Sequence, residues 1–278
     1  MADIIHISEA LNKAELLAQF NRAITPDMTG EATEMLLRLN LPVDAVNSLT
    51  IPQFNAMSAC LQHHCDTCTG RDQSCDKRIL QFFYDGNALQ ITASDCQKAK
   101  DAAHADRVSK LIARANIPPR FSRFRAKDYR ATDRNSDAID AAEDAIFDDK
   151  SLFIHGDVGT GKTMLACIIA VERVHLLKPC LFVNVPDLLE QQRDKSDDTR
   201  DAFMKRVYEA PCLIVDDLGA EKPSDWTNEI LFKIYNRRYN DERQTVTTSN
   251  LPPTSLDNHT GARVARRVLH GANTVQIF

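Results

Sequence analysis

Residues 151–163, Ser-Leu-Phe-Ile-His-Gly-Asp-Val-Gly-Thr-Gly-Lys-Thr, decide the fold. An apolar run over 152–154 leads into a glycine-rich loop, which ends in Lys162 and Thr163. Glycine permits positive φ angles and close backbone approach, so successive N–H groups of such a loop can surround a phosphate. The apolar run predicts a strand, and the helical pattern over 164–174 places a helix N-terminus beside the same anion. The stretch therefore predicts a nucleotide-phosphate loop.

Each part of this loop has an expected role. We expect Lys162 to reach the β- and γ-phosphates of the nucleotide and Thr163 to bind a Mg²⁺ ion. The alternative is a glycine turn between strand and helix with an incidental lysine, and the order of the motif argues against it. The residues of the predicted nucleotide-binding loop are Gly156, Asp157, Val158, Gly159, Thr160, Gly161, Lys162 and Thr163.

A second apolar run ends in two acids. Residues 210–217 read Ala-Pro-Cys-Leu-Ile-Val-Asp-Asp, and the C-terminal strand ends of a doubly wound parallel sheet line the ligand crevice. We expect Asp216 to bind Mg²⁺ through water, and Asp217 to polarise the attacking water. The alternative is that both acids cap a helix that begins near Ser224. A later β-branched strand ends in Asn250, which we expect to orient the water or sense the γ-phosphate.

Three arginines and no acid occur over 261–278. Arg263 and Arg267 stand four residues apart and would share one helix face. Arginines on a helix beside a phosphate-loop site commonly contact phosphate, in the same subunit or in a neighbour. Arg266 would point elsewhere, toward DNA phosphates or solvent.

The cysteines over 60–96 indicate a metal. Cys65 and Cys68 have the two-residue spacing that lets both sulfurs bind one ion, and Cys75 and Cys96 can complete a tetrahedral zinc site. An iron–sulfur cluster whose spacing opens at Cys60 and the absence of any metal are the alternatives. Rival zinc ligands are Cys60, His63, His64 and His104, whereas Cys167, Cys180 and Cys212 stand in apolar contexts and are expected in the core.

Composition limits the class of protein. The chain has 278 residues, of which 43% are hydrophobic and 26% charged, as in soluble globular proteins with room for two domains. It contains no run of eighteen apolar residues, and its first ten residues do not resemble a secretion signal, so we expect a cytoplasmic protein without a membrane segment. The net charge of −5 argues against indiscriminate coating of nucleic acid.

Pro118 and Pro119 fix an extended backbone and mark a domain boundary. We expect a smaller, mainly helical, zinc-binding and partner-binding domain over 1–115, a linker over 116–135, and an α/β ATPase domain with a parallel sheet flanked by helices over 136–278. The linker interleaves cations with aromatic side chains. It could follow a nucleic-acid backbone, but the favoured interpretation is a docked segment whose aromatic rings pack on the next domain. Those rings are Phe121, Phe124 and Tyr129.

Outside the motifs the elements are predicted from periodicity. Helices are expected over 8–22, 31–39 and 226–239, and a strand over 89–92. The charged stretch over 193–200 is expected to be a solvated loop or an insert presented to a partner.

Several segments together resemble the bacterial and phage helicase-loader ATPases of the DnaC/DnaI type. This group is a branch of the AAA+ superfamily, which also includes transposition helpers of the IstB type. The segments that carry the resemblance are 117–121, 155–163, 212–223, 228–239, 248–250 and 261–268. The resemblance implies a Walker A motif, two Walker B acids, a sensor I residue and an arginine-finger region. These are Lys162 with Thr163, Asp216 with Asp217, Asn250, and Arg263 with Arg267, of which Arg267 matches the finger best.

The resemblance also covers part of the first domain. DnaI-type loaders have an N-terminal zinc-binding, helicase-binding domain, and Cys65, Cys68 and Cys96 fall at matching places. The histidine of that pattern has no counterpart, so Cys75 is expected to replace it. Asp217 stands where many AAA+ enzymes have glutamate, which favours slow hydrolysis. Because the given chain ends at Phe278, we expect no lid-borne second sensor.

The resemblance implies an ATP-dependent loader with ATP, Mg²⁺ and Zn²⁺ as cofactors. Its expected partners are a hexameric replicative DNA helicase, single-stranded DNA and further copies of the chain assembled on the helicase. Such a loader would deliver the helicase to DNA during replication initiation. The alternatives are an IstB-type transposition helper and an ATP-binding inhibitor of the host helicase.

Overall fold

Contacts divide the chain into two units, Met1–Ala105 and Asp106–Phe278. The computed structural model describes residues 22–62, 69, 71, 78–130, 132, 135–194 and 197–278. The predicted helix over 8–22, apart from its last residue, lies outside the described residues. So do five candidate metal ligands, namely His63, His64, Cys65, Cys68 and Cys75.

The first unit combines helices with a β-hairpin. Its described elements are α1 (Thr29–Arg38), α2 (Ile51–Gln62), β1 (Arg78–Tyr84), β2 (Leu89–Asp95) and the start of α3 (Gln97–Arg114). The predicted helix over 31–39 and the strand over 89–92 are confirmed. The expectation of a mainly helical domain missed β1, which pairs antiparallel with β2. The sequence of β1 lacks strict alternation of polar and apolar residues, which is the signal for a half-buried strand.

A small core holds this unit together. Leu36 on α1 and Met57 on α2 are fully buried, and Leu89 on β2 joins the same apolar cluster. The hairpin register runs from Arg78 opposite Asp95 to Tyr84 opposite Leu89.

The second unit is an α/β domain with a five-stranded sheet. The order of the strands is β4-β5-β6-β3-β7, and all neighbours are parallel. This confirms the predicted α/β class, with a parallel sheet flanked by helices. The elements after α3 are α4 (Ser136–Phe147), β3 (Ser151–Gly156), α5 (Lys162–His175), β4 (Cys180–Asn184), α6 (Val185–Asp194), α7 (Asp197–Glu209), β5 (Cys212–Leu218), α8 (Asp225–Asn240), β6 (Gln244–Ser249), α9 (Pro253–Thr260), α10 (Ala262–Leu269) and β7 (Ala272–Ile277).

Apolar layers cover both faces of the sheet. Leu152 and Ile154 of β3 pack into one core with α4 and α5, while Phe153 packs into the other with α6 to α10. Successive side chains of a strand point to opposite faces, so a strand between two layers needs an unbroken apolar run. Among the described residues, no helix is long and apolar enough to cross a membrane.

Two elements of this unit differ from the expectations. The stretch over 193–200, expected to be a solvated loop or an insert presented to a partner, contains the end of α6 and the start of α7. Charged residues dominate α7, but Met204 and Val207 anchor it in the core, so the charges lie on its solvent side. Strand β7, which was not predicted, pairs along the whole of β3. Its polar residues suit the edge of the sheet, where one flank faces solvent.

The segment after the two prolines belongs to the second unit, since the division between units falls within α3. Phe121 is 8% exposed and lies in the core beside α4 and α5, and Phe124 and Tyr129 pack against that core. The interpretation of a docked segment is therefore confirmed. Aromatic rings bury large apolar areas, so three of them attach the chain firmly here.

Candidate functional site

The glycine-rich loop connects the end of β3 to the start of α5. Gly159 and Gly161 have φ angles of +85° and +96°, in the left-handed region that glycine adopts readily. A methyl group at Gly159 would meet no atom within 4 Å, so the loop is open at that point. The first N–H groups of α5 have no partner within the helix and favour an anion. The loop thus suits a phosphate group.

Lys162 is the first residue of α5, and it is only 5% exposed. Its Nζ atom donates hydrogen bonds to the carbonyl oxygens of Gly156 at 3.0 Å and Asp157 at 2.7 Å. Burial lowers the pKa of Lys162, and the charges of Asp217 and Asp216 act in the opposite direction. A buried ammonium group with only carbonyl oxygens as direct partners suits a negatively charged ligand, and phosphate oxygens meet that need.

Two acids follow β5, and Thr248 of β6 connects them. The Thr248 hydroxyl donates to Oδ1 of Asp216 at 2.7 Å and accepts from the backbone N–H of Asp217 at 3.0 Å. Asp216 is 3% exposed, and burial raises the pKa of its carboxyl while the Thr248 hydrogen bond opposes that rise. The side chain of Thr163 lies beside Asp216 and also acts to lower the pKa of its carboxyl. This set of hydroxyl and carboxylate oxygens suits Mg²⁺.

Asp217 has an unusual backbone, with a φ angle of +60°. Non-glycine residues adopt this conformation rarely and at some cost, although aspartate and asparagine tolerate it better than most others. The Nδ2 atom of Asn184, at the end of β4, donates to Oδ2 of Asp217 at 3.3 Å. Asn184 is the register partner of Asp216, so the paired ends of β4 and β5 place the three side chains together.

One cavity of about 490 Å³ brings much of the predicted site together. Its lining comprises Arg120, Phe121, Val158, Gly159, Gly161, Lys162, Thr163, Met164, Asp217, Ala220 and Asn250. The loop, the second acid and the predicted sensor thus share one space. Asp216 is buried next to this cavity, beside Thr163. The structure adds Arg120 and Phe121 to this site, whereas the sequence indicated only a docked segment or a nucleic-acid contact for them.

The two predicted arginines lie elsewhere, on α10. The Arg263 guanidinium lies 4.0 Å from the ring centre of Phe232, and that of Arg267 lies 4.0 Å from the ring centre of Tyr239. Arg267 also donates through Nε to Oδ1 of Asn236 at 3.1 Å. Neither Arg263 nor Arg267 is among the described residues that line the nucleotide cavity. Both are held against α8 of their own chain.

Arg267 borders a second cavity, of about 590 Å³, together with Ser151, Gln244 and Thr245. These three residues begin β3 and β6, whereas the phosphate loop follows the end of β3. A strand of this length spans roughly 17 Å at about 3.3 Å per residue. Arg267 therefore lies near the N-terminal ends of the parallel strands, whereas the phosphate loop lies at their C-terminal ends.

Sequence reasoning missed Thr248 and Asn184 as members of the site. Thr248 is completely buried, and a buried hydroxyl requires a partner, which is a usable signal once a strand is assigned. Asn184 ends a predicted strand, and polar side chains at such ends lie beside the ligand crevice. What the sequence lacks is the register that aligns each of them with an acid.

Replacing Thr248 with valine is expected to lower the free energy of unfolding by about 2–3 kcal/mol, since it removes a hydrogen bond to a buried carboxylate. Valine keeps the shape of threonine, so packing changes little. Urea denaturation of the full chain measures the loss. Thr248→Ser retains the hydroxyl and should keep most of the stability. Equal stability of the valine and serine variants would contradict this role.

Gly156 is required by a neighbouring strand as well as by the loop. A methyl group added there would lie 2.1 Å from the carbonyl oxygen of Ile277 on β7. We expect Gly156→Ala to cost about 2–5 kcal/mol of stability, from the clash and the strained backbone. Gly159→Ala is the matched control. It meets no neighbour and should cost about 1 kcal/mol. Urea denaturation without nucleotide measures both, and similar losses would contradict the assignment.

Comparison with known proteins agrees with this geometry. A model of the family described as IstB-like ATP binding protein matches residues 96–277. The replicative helicase loader DnaI of Bacillus subtilis (strain 168) is 26% identical over 142 residues, which are 46% of this chain and 46% of that protein. The replicative helicase loader DnaC of Escherichia coli (strain K12) is 26% identical over 131 residues, 46% of this chain and 54% of that protein.

The chain spans about half the length of these curated relatives. Among solved structures, a crystal structure of DnaI superposes with a TM-score of 0.54 at 27% identity, over 59% of this chain and 95% of that one. The family model covers more than half of the chain, including every element of the parallel sheet. The chain therefore belongs to the family of IstB-like ATP binding proteins.

Proposed function

We propose that this protein is an ATP-hydrolysing helicase loader, which binds the replicative DNA helicase and delivers it to single-stranded DNA during replication initiation. The observation that carries the proposal is the single cavity shared by Lys162, Thr163, Asp217 and Asn250. Relatives named as replicative helicase loaders support the choice of partner. Because helicase and chromosomal DNA would be its substrates, we place the protein in the cytoplasm.

In this proposal the loop and the start of α5 hold the phosphates of ATP, and Thr163 with Asp216 holds Mg²⁺. Bound Mg²⁺ would supply positive charge to the phosphates. Lys162 would exchange its carbonyl partners for phosphate oxygens. Asp217 orients and polarises the attacking water, while Asn250 faces the same space and positions the water or senses the γ-phosphate.

The hydrogen bond from Asn184 occupies one oxygen of the Asp217 carboxylate. While that bond is made, the carboxylate has less freedom to accept a proton from water. Together with the short side chain of Asp217, this contact supports slow basal hydrolysis that rises when a partner rearranges the site.

We further propose that the site is completed by another copy of the chain. Arg267 lies near the N-terminal ends of the strands, and the phosphate loop of the same subunit lies at their C-terminal ends. An arginine placed there can meet a nucleotide only if a neighbouring subunit brings its phosphate loop to these N-terminal ends. Self-association on the helicase would bring the two together. Arg263 lies on the same helix and would face the same neighbouring subunit.

We propose that the first unit binds zinc through Cys65, Cys68, Cys75 and Cys96. The described residues alone contain no group of three metal-binding side chains, and of the four ligands only Cys96 is among them. The Nε2 atom of His104 is buried and has no partner among the described residues, which supports His104 as a rival to Cys75. Two-residue spacing between cysteines supports zinc over the other metals.

Metal analysis of the purified full chain should find one zinc per chain, and Cys68→Ser should lose it. Comparison of Cys75→Ser with His104→Ala then identifies the fourth ligand, since only the ligand variant loses zinc. Cys167→Ala, in the core of the second unit, is the control and should keep the metal. Substoichiometric zinc in the wild type would refute the site.

The loader function is tested by co-purification with a hexameric replicative helicase, followed by an assay of helicase deposition on single-stranded DNA. A loader binds the helicase, hydrolyses ATP and increases deposition. An inhibitor binds the helicase but blocks deposition, and a transposition helper does not bind it at all. The cysteine-rich first unit supports the helicase-binding choice over the transposition helper.

A further inference from the structure

Two cysteines begin neighbouring strands on the side of the sheet far from the phosphate loop. Cys180 is the first residue of β4, an edge strand, and Cys212 is the first residue of β5. The two residues are direct partners in the parallel register. Side chains of paired residues point to the same face, and both cysteines belong to the core cluster that contains α5. The pair is therefore a buried dithiol, with Cys180 8% exposed and Cys212 fully buried.

A buried arginine lies beside the dithiol. Arg173 of α5 is 3% exposed, and its charge interacts with both thiol groups. One of its terminal nitrogens donates to the carbonyl oxygen of Ala145 at 2.8 Å and to Asp149. The Nε atom of Arg173 is buried and has no hydrogen-bond partner in the part of the chain that the structure describes. A buried donor without an acceptor is costly, and a thiolate would be an acceptor of the right charge.

The two sulfurs are not equivalent. The neighbouring Cys212 thiol lowers the pKa of Cys180, and the charge of Arg173 adds to this effect against the opposing effect of burial. The Sγ atom of Cys180 donates to the carbonyl oxygen of Lys178 at 3.7 Å. The neighbouring Cys180 thiol and full burial raise the pKa of Cys212. Cys167, which is buried in the same core, has its pKa raised to about 12 by burial. Cys180 is thus the nucleophilic thiol, and Cys212 is placed to react with it.

We propose that Cys180 and Cys212 form a reversible oxidation site, which takes a peroxide as its oxidant and closes to a disulfide between β4 and β5. The Cys180 thiolate attacks one peroxide oxygen, the O–O bond breaks, and the leaving oxygen departs as water after protonation. The sulfenic acid formed on Cys180 is then attacked by the sulfur of Cys212. The S–O bond breaks and a second water leaves. Two thiols and one hydrogen peroxide give one disulfide and two water molecules.

The spacing of the strands permits this disulfide. Neighbouring strands lie about 4.8 Å apart, within the Cα separation of roughly 4.4–6.8 Å that a disulfide requires. The bond can therefore form between the first residues of β4 and β5, and exchange with another thiol would reduce it again. Only Cys180 needs to meet the oxidant, and its place at the start of an edge strand suits that role.

The test is peptide mapping of the full chain after treatment with hydrogen peroxide. Digestion without reductant should give a cross-linked peptide that contains Cys180 and Cys212, lighter than the two reduced peptides together by two hydrogen atoms. Dithiothreitol should restore both thiols. Cys180→Ser should abolish the cross-link, and Cys167→Ala should leave it unchanged.

The wild-type map alone can overturn the proposal, so the result does not depend on the folding of a variant. Peroxide that oxidises other cysteines but leaves Cys180 and Cys212 as thiols would refute it. Irreversible sulfinic acid on Cys180 would refute it as well, because Cys212 would then not be in reach. Neither outcome depends on ATP hydrolysis or on a helicase.

Discussion

Replacing Lys162 with alanine is expected to abolish ATP binding. The Nζ atom of Lys162 makes two hydrogen bonds to loop carbonyls, and in the ATP-bound protein these would be exchanged for bonds to phosphate. Charge-assisted hydrogen bonds contribute about 1.5–3 kcal/mol each, so the loss of two weakens binding roughly 10²- to 10⁴-fold. Titration with a fluorescent ATP analogue measures the loss, and steady-state hydrolysis should fall to background.

The same variant should remain folded. Burial lowers the pKa of Lys162, which means that the folded protein disfavours the charged ammonium group. Removing it should therefore leave the melting temperature unchanged or slightly higher. Lys205→Ala, on the exposed side of α7, is the matched control and should bind ATP as the wild type does. Retention of tight ATP binding by a folded Lys162→Ala protein would contradict the assignment of the loop.

The sequence predicts those parts of the site whose conformation is determined by residues close together in the chain. The loop before Lys162 combines a strand, three glycines and a helix start within thirteen residues, so its conformation follows from its own composition. The apolar run before Asp216 indicates a buried strand, and the end of such a strand is where a ligand lies. Both predictions needed no knowledge of which strands are neighbours.

Side-chain contacts between neighbouring strands could not be predicted from short stretches of sequence. Thr248 meets Asp216 across 32 residues, and Asn184 meets Asp217 across 33. The pairing of β5 with β6 also shifts register between Val215 and Leu218, so counting along the strands would misalign these side chains. Pairing depends on the packing of the whole sheet, which no short pattern in the sequence encodes.

The position of Arg267 shows the same limit. Its spacing from Arg263 predicts a shared helix face, and both arginines do pack on aromatic rings of α8. The sequence left open whether the arginine serves its own subunit or a neighbour. The order of the strands and the placement of α10 put Arg267 near the N-terminal ends of the strands, away from the phosphate loop. In the proposed shared site, a second subunit would supply the nucleotide that Arg267 meets.

Arg267→Ala is accordingly expected to spare ATP binding and to reduce hydrolysis in the assembled state only. Arginine fingers contribute roughly 10³- to 10⁵-fold to phosphoryl transfer, and a slow enzyme should lie at the lower end. Loss of the cation–π contact with Tyr239 and of the hydrogen bond to Asn236 costs about 1–3 kcal/mol, which the fold should tolerate. Arg266→Ala, an exposed neighbour on the same helix, is the matched control and should retain full activity.

Mixing two inactive variants separates action within a subunit from action between subunits. Arg267→Ala subunits bind ATP but lack the finger, whereas Lys162→Ala subunits have the finger but bind no ATP. If Arg267 acts across an interface, a Lys162→Ala subunit supplies it to the nucleotide of its neighbour, and mixed assemblies regain hydrolysis. If Arg267 acted within its own subunit, every subunit of the mixture would lack one essential group. Mixed assemblies that form and stay inactive, or a monomer with full ATPase activity, would therefore contradict the shared site.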